Sequence, residues 1–154
     1  MSLLFRPAVP SDAVECIQVR GRTRENAISE ARLRSAGITV ESWAREIEEG
    51  SLPGFVCESA GSIVGYCFGA TDTGEVVVLA LLPDFERRGL GRELLDMVVQ
   101  RLRADGHRRL FLGCSTDPSC RAHGFYRHLG WRSTGTFDHF GDEVLELVFD
   151  RRTT

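Results

Sequence analysis

Long hydrophobic runs are missing from this chain of 154 residues. The longest, Val76 to Leu82, has seven apolar residues, against roughly 20 for a membrane-crossing helix, so a transmembrane helix is excluded. An excess of positive charge is missing too. With 19 basic and 22 acidic residues and a net charge of −3, the chain has no global field to draw it to nucleic acid, and any anion site must be local. No cysteine framework is present: five cysteines, at 16, 57, 67, 114 and 120, are odd in number and irregularly spaced. The opening Met1 to Arg6 is too short for a signal peptide. A reduced, cytoplasmic protein is expected. Repeats, low-complexity tracts and linkers are likewise absent, and 42% hydrophobic with 27% charged residues suits one globular domain spanning 1–154.

What is present alternates between strand and helix patterns. Leu3 to Arg6 reads as a strand, and Ser11-Asp12 can cap a helix with Val14 and Ile17 on its buried side. The stretch from Gly21 to Gly37 is polar and only weakly helical, whereas Thr39 caps a clear helix with Ile38 and Trp43 at hydrophobic-staple positions, ending at Gly50. Phe55 to Ser59, Ser62 to Ala70 and Glu75 to Leu82 predict an antiparallel meander turning at Ala60-Gly61 and Asp72-Thr73-Gly74. Its third strand is apolar at every position after Glu75, the pattern of a strand covered on both faces. Leu90, Leu94, Leu95, Val98, Val99 and Leu102 then form a helical stripe ending at Gly106. Leu110 to Cys114 is the next strand, which makes a crossover unit with a parallel pair flanking the helix. Asp117-Pro118 is expected to open a short helix closed by Gly130, before a final hairpin of Trp131 to Phe137 and Val144 to Phe149. The expected fold is α+β: about seven strands in a mixed, mostly antiparallel sheet, with about four flanking helices.

The chemistry concentrates between Leu79 and Arg92. A buried strand runs into Pro83-Asp84-Phe85-Glu86-Arg87-Arg88-Gly89-Leu90-Gly91-Arg92 and then into an amphipathic helix. The first turn of a helix has free N–H groups and a partial positive charge, and glycines at 89 and 91 let a ligand touch that backbone. Arg87, Arg88 and Arg92 add charge suited to a diphosphate. A nucleotide P-loop needs Gly-Lys-Ser/Thr, absent here, and the dinucleotide fingerprint needs a small residue where Leu94 stands.

Glu86-Arg87-Arg88-Gly89-Leu90-Gly91 resembles the acetyl-CoA signature of the GNAT acetyltransferases, Gln/Arg-x-x-Gly-x-Gly/Ala, with Glu86 as a departure. A second stretch, Ala122-His123-Gly124-Phe125-Tyr126-Arg127-His128-Leu129-Gly130-Trp131, is similar to another element of that family, with Trp131 in place of Phe. The resemblance implies acetyl-CoA as co-substrate and a primary amine as acceptor. It places the pantetheine arm on the main chain of Leu79, Ala80 and Leu81, and the pyrophosphate on Arg87, Arg88, Gly89, Leu90, Gly91 and Arg92. Tyr126 matches the tyrosine that protonates the CoA sulfur, and Glu75 lies at the distance before the signature where histone-acetylating members carry a general base. Water remains the other candidate base, with Glu75 a solvated strand-end carboxylate. Ser119 stands where many members have an Asn on the cofactor, and Cys114 where some have a base. The N–H of Leu81 is expected to serve the oxyanion. Many members are dimers, and a homodimer is compatible with the resemblance.

Alternatives from other classes are a GNAT-like sensor that holds acetyl-CoA without turnover and a nucleotide-binding protein unrelated to CoA. Cys114, Cys120, His123 and His128 include no compact metal-ligand pair, and no metal is expected. The segment Arg20 to Gly50, with Arg20, Arg22, Arg24, Glu25, Glu30, Arg32 and Arg34, and the loop Phe137 to Asp142 are candidate walls of the acceptor site.

Overall fold

The structure of the protein, a computed structural model, describes residues 2–23 and 28–149. Strand β1 (Leu3–Pro7) pairs antiparallel with β2 (Gly54–Ser59). That strand turns through Ala60 and Gly61 into β3 (Ser62–Gly69), both turn residues having positive φ, as a two-residue hairpin requires. The meander ends in β4 (Val76–Leu81), giving a four-stranded sheet in the order β1-β2-β3-β4. A second sheet has the order β5-β7-β6, with β5 (Arg109–Cys114), β6 (Arg132–Phe137) and β7 (Glu143–Val148).

The helices are α1 (Ala13–Arg20), α2 (Glu30–Ser35), α3 (Val40–Glu49), α4 (Leu90–Ala104) and α5 (Arg121–His128). Alternation along β3 divides the core between two layers. Tyr66 and Phe68 join Ile17, Leu33 and Trp43 from the first three helices, while Cys67 between them joins Leu94, Val98 and Leu102 of α4. The same α4 cluster takes in Leu110, Leu112 and Leu145 of the second sheet, so one helix packs on both sheets. All six residues of its predicted stripe are buried.

The predicted parallel pair is reduced to a single bridge. Glu75 meets Phe111, whose N–H donates to the Gly74 carbonyl at 3.2 Å, and beyond that point β4 and β5 pair with different sheets. This makes β4 an edge, so it is not covered on both faces as its composition suggested: Val77 is 40% exposed. The polar stretch contributes a fifth helix, α2, whose N–H at Arg32 is capped by the Ser29 hydroxyl at 3.2 Å; Arg24 and Glu25 lie outside the described residues. Helix α3 begins as expected, with reciprocal bonds between Thr39 and Ser42. Asp117 does not open α5, because its Oδ1 accepts from the N–H and hydroxyl of Ser119, and the helix starts at Arg121.

Near the N-terminus Val14 is exposed and the buried line is Ala13, Cys16, Ile17 and Val19. Asp12 caps no helix N–H. Its carboxylate takes the Val9 N–H at 2.8 Å and two Arg6 nitrogens at 2.8 and 2.9 Å, while Arg6 Nε also pairs with Glu58 of β2. Burial alone raises the Asp12 pKa, but its bonds to Arg6 and Val9 outweigh that and hold it below the ordinary value. A lowered carboxylate pKa contributes stability that is complete above the unfolded value of about 3.9 and is lost as pH falls through the folded one. Asp12→Asn should therefore cost about 2 kcal/mol at neutral pH. In chemical denaturation the gap from the unmodified protein should close on acidification below about pH 4.

Candidate active site

The opening between the sheets is lined on one side by the free edge of β4. Register with β3 skips Val77: Phe68 pairs with Val78 and Gly69 with Val76, a bulge that bends the strand. Past the bulge, Leu82 donates to the Val64 carbonyl at 2.9 Å. Antiparallel bonding alternates, so the groups of Ala80 are directed at Tyr66 and those of Leu79 and Leu81 at the opening. Of the three residues expected to offer main chain to a pantetheine arm, Ala80 faces the other way.

A one-turn 3-10 segment, Pro83–Phe85, carries the chain from β4 into the glycine turn. Arg87 and Gly89 both have positive φ, at 63° and 81°. With Gly89 left-handed and Leu90 beginning α4, successive N–H groups converge in the arrangement that binds anions. No side chain caps this end of α4, so its first N–H groups have no intrahelical acceptor. Arg87, Arg88 and Arg92 are exposed around it. The Arg88 guanidinium lies 5.1 Å over the Phe85 ring, and Arg92 edges a groove with Asp96, Leu129 and Trp131 on another side of the helix.

Glu86 is absent from this anion site. Its side chain, 12% exposed, is ion-paired with Arg121 at the start of α5. That pair fastens the glycine turn to the helix bearing Tyr126. Gly91 shows how closely these parts converge: a methyl placed there would lie 3.4 Å from Leu81 Cδ1, 3.6 Å from Phe125 Cζ and 3.8 Å from Leu79 Cδ2. Strand β4, α4 and α5 therefore meet at one point, with room for a methyl group and no conformational demand for glycine. Tyr126, one residue on, packs edge-on against Phe125 and Trp131 at 5.0 and 6.0 Å. Burial pushes its phenol pKa well up, keeping it protonated.

At the start of β4 the character of the site changes from cationic to anionic. Glu75 is half-buried, and burial, then the charge of Asp138, raises its pKa. Asp138 comes from the loop between β6 and β7 and also raises Asp142, after burial does the same. Its Oδ1 accepts from the N–H groups of Phe140 and Asp142 at 2.9 and 3.0 Å, and its Oδ2 lies over Gly113 of β5.

The profile of the acetyltransferase (GNAT) family matches residues 20–131. The chain belongs to the GNAT acetyltransferase family. An amino-acid acetyltransferase of Pseudomonas fluorescens (strain Pf0-1) is 35% identical over 85 residues, 52% of this chain and 19% of that protein, so the chain spans about a fifth of that relative's length. Among solved structures, the PaiA N-acetyltransferase of Thermoplasma acidophilum in complex with coenzyme A superposes with a TM-score of 0.81 at 19% identity, covering 97% of this chain and 100% of that one. YncA of Salmonella typhimurium, solved with its cofactor acetyl-CoA, gives 0.74 at 16% identity, covering 98% and 96%. These two likenesses establish the GNAT fold.

In this member of the GNAT family Leu79, Leu81, Leu90, Gly91 and Tyr126 share one neighbourhood, with Arg87, Arg88 and Gly89 at its rim. Ser119 is exposed and bonded to Asp117, two residues before the Arg121 that pairs with Glu86. Cys114 is buried at the end of β5, and burial raises its thiol pKa. Among the described residues no three His, Cys, Asp or Glu side chains are arranged to hold a metal ion. Sequence reasoning named the loop Phe137 to Asp142 as a wall of the acceptor site but missed the charge that Asp138 sets near Glu75, and it missed Arg121; a glycine within β5, at 113, was the available sign that another group approaches closely there. The protein has two tyrosines, 66 and 126, both buried with pKa values pushed up by burial. Alkaline titration of the native protein should therefore show no tyrosinate absorbance near pH ~10, where the denatured chain ionises both.

Proposed function

We propose that this GNAT enzyme transfers the acetyl group of acetyl-CoA to a primary amine of a small molecule or protein, by direct attack of the amine in a ternary complex. The observation that carries the proposal is the convergence at Gly91 of the free edge of β4, the uncapped start of α4 and the helix bearing Tyr126. When bound, acetyl-CoA supplies an activated thioester and a thiolate leaving group. The N–H cluster of Gly89, Leu90 and Gly91, with the charges of Arg87 and Arg88, holds the pyrophosphate, while Arg92 edges the groove on another side of α4. Leu81 holds the pantetheine arm through its main chain. Leu79, nearer Glu75 along the strand, offers its N–H to the oxyanion in place of Leu81, since the acyl end lies away from the pyrophosphate site.

Acceptor amines are largely protonated at neutral pH, so a base is needed. Glu75 takes that proton. About four residues of strand, roughly 13 Å, separate it from Leu79, so water relays the proton between them. A raised pKa makes Glu75 a better match to an ammonium group and sets an acid limb in the rate profile above the usual carboxylate range. Tyr126, kept neutral by burial, gives its proton to the departing sulfur.

Arginine supplies all 19 basic residues. The chain has no lysine amine of its own, so lysine self-acetylation does not contribute to thiol release. Acetyl-CoA, and not ATP or NAD, should raise the melting temperature by mass action. Thiol release should follow with an amine from a screen of amino acids, polyamines and peptide N-termini, amino acids being included because of the relative's name. Tyr126→Phe should keep the thermal shift and lose about 100-fold or more in rate. Gly91→Ala should fold normally and keep the shift, its methyl group meeting Leu81 and Phe125 at ordinary contact distance and the signature admitting alanine there. A shift without release from any amine would support a sensor, and no shift would remove acetyl-CoA from the account.

A further inference from the structure

Glu75 faces charged groups from two neighbouring segments. At the start of β5, His107 stands against Gly74, with its Nε2 at the Thr71 carbonyl, while Arg109 is drawn to Glu146 at 3.1 Å and over the Phe111 ring. On its own segment only the Thr73 hydroxyl touches the Glu75 N–H, at 3.2 Å. Glu75 bridges Phe111 of β5, and Gly113, two residues on, lies on the same face of that strand as Phe111. Over Gly113 lies the Asp138 carboxylate from the loop between β6 and β7, with Asp142 behind it.

The placement of Asp138 is built into the fold. Its Oδ1 closes the loop on Phe140 and Asp142, and its N–H donates to the Asp142 carbonyl at 2.9 Å. That fixed turn lays Oδ2 across β5, where a methyl group on residue 113 would lie only 2.7 Å from it. Any side chain on Gly113 would displace the carboxylate. Among the described residues Asp138 forms no ion pair, so its charge is left to act on its neighbours.

We propose that Asp138 is a positioning residue of the acetyl transfer, holding Glu75 as a proton acceptor matched to an ammonium group. The inference rests on Glu75 being the base. The acceptor's ammonium nitrogen loses a proton, through water, to a Glu75 carboxylate oxygen and keeps the electron pair that attacks the thioester carbonyl. Asp138 itself neither gains nor loses a proton. A like charge held nearby disfavours the ionised form of Glu75 and so strengthens its grip on that proton.

The test combines two readouts on the full chain. The first follows the Glu75 side-chain carboxyl by carbon NMR against pH, its resonance assigned by its loss in Glu75→Gln. The second is the pH profile of kcat/KM for thiol release with the fastest amine of the screen. Asp138→Asn keeps an Oδ1 to close the loop while removing the charge. Gly113→Ala keeps the charge and moves it, and serves if the first variant folds poorly. The expected result is a downward shift of the Glu75 midpoint in Asp138→Asn and a changed midpoint in Gly113→Ala, with the acid limb moving alongside it in each. An unmoved Glu75 midpoint in well-folded Asp138→Asn would overturn the role of Asp138, even if kcat fell. Survival of the original acid limb in Glu75→Gln would instead overturn Glu75 as the base, and with it the catalytic part of this inference.

Discussion

A strand edge exposes a row of N–H and C=O groups that must be met by a neighbour, by water or by a ligand. Strand β4 is an edge of this kind because it stays beside β5 for a single bridge, Glu75 to Phe111, and then parts from it. The separation is held open from beneath: Leu94, Val98 and Leu102 of α4 pack into one cluster with Leu110, Leu112 and Leu145 of the second sheet. The two sheets are therefore joined through a shared core and not through a continuous ladder. Everything assigned to the site follows from this opening. Leu79 and Leu81 have backbone groups to offer, α4 starts at its end, and α5 approaches from the opposite sheet.

Charge is sorted along the same strand. At one end stand Glu75, Asp138 and Asp142, and past the other end lie the N–H groups of Gly89 to Gly91 with Arg87 and Arg88. In a chain whose net charge is only −3, this local separation outweighs any global field. It suits a ligand that is anionic where it meets α4 and an acceptor that is cationic where it meets Glu75. The ion pair between Glu86 and Arg121 keeps the one acidic residue of the glycine turn out of the anion site and ties that turn to the Tyr126 helix.

Much of this was legible in the residues. The six-residue stripe of α4, the hairpin at Ala60-Gly61, the Thr39 cap and the glycine turn each depend on neighbours close in sequence, and each formed as its pattern predicts. What escaped depends on partners far along the chain. An apolar run records that β4 is hydrophobic and not which strand lies beside it, so neither the exposure of Val77 nor the pairing of the Ala80 backbone with β3 could be foreseen. Asp117 had the right residue type for a helix cap, but Ser119 competed for its carboxylate. Asp138 lies 63 positions from Glu75, and only the folded β6–β7 loop brings its charge to bear on it.

The proposed place of the coenzyme is the opening beside β4. The most direct measurement is an amide NMR titration of the protein with coenzyme A. The largest shifts are expected at Leu79, Leu81, Gly89, Leu90 and Gly91, with a smaller response at Ala80, whose N–H is directed at β3. Shifts gathered instead along Asp96, Leu129 and Trp131, the groove on another side of α4, would contradict that placement.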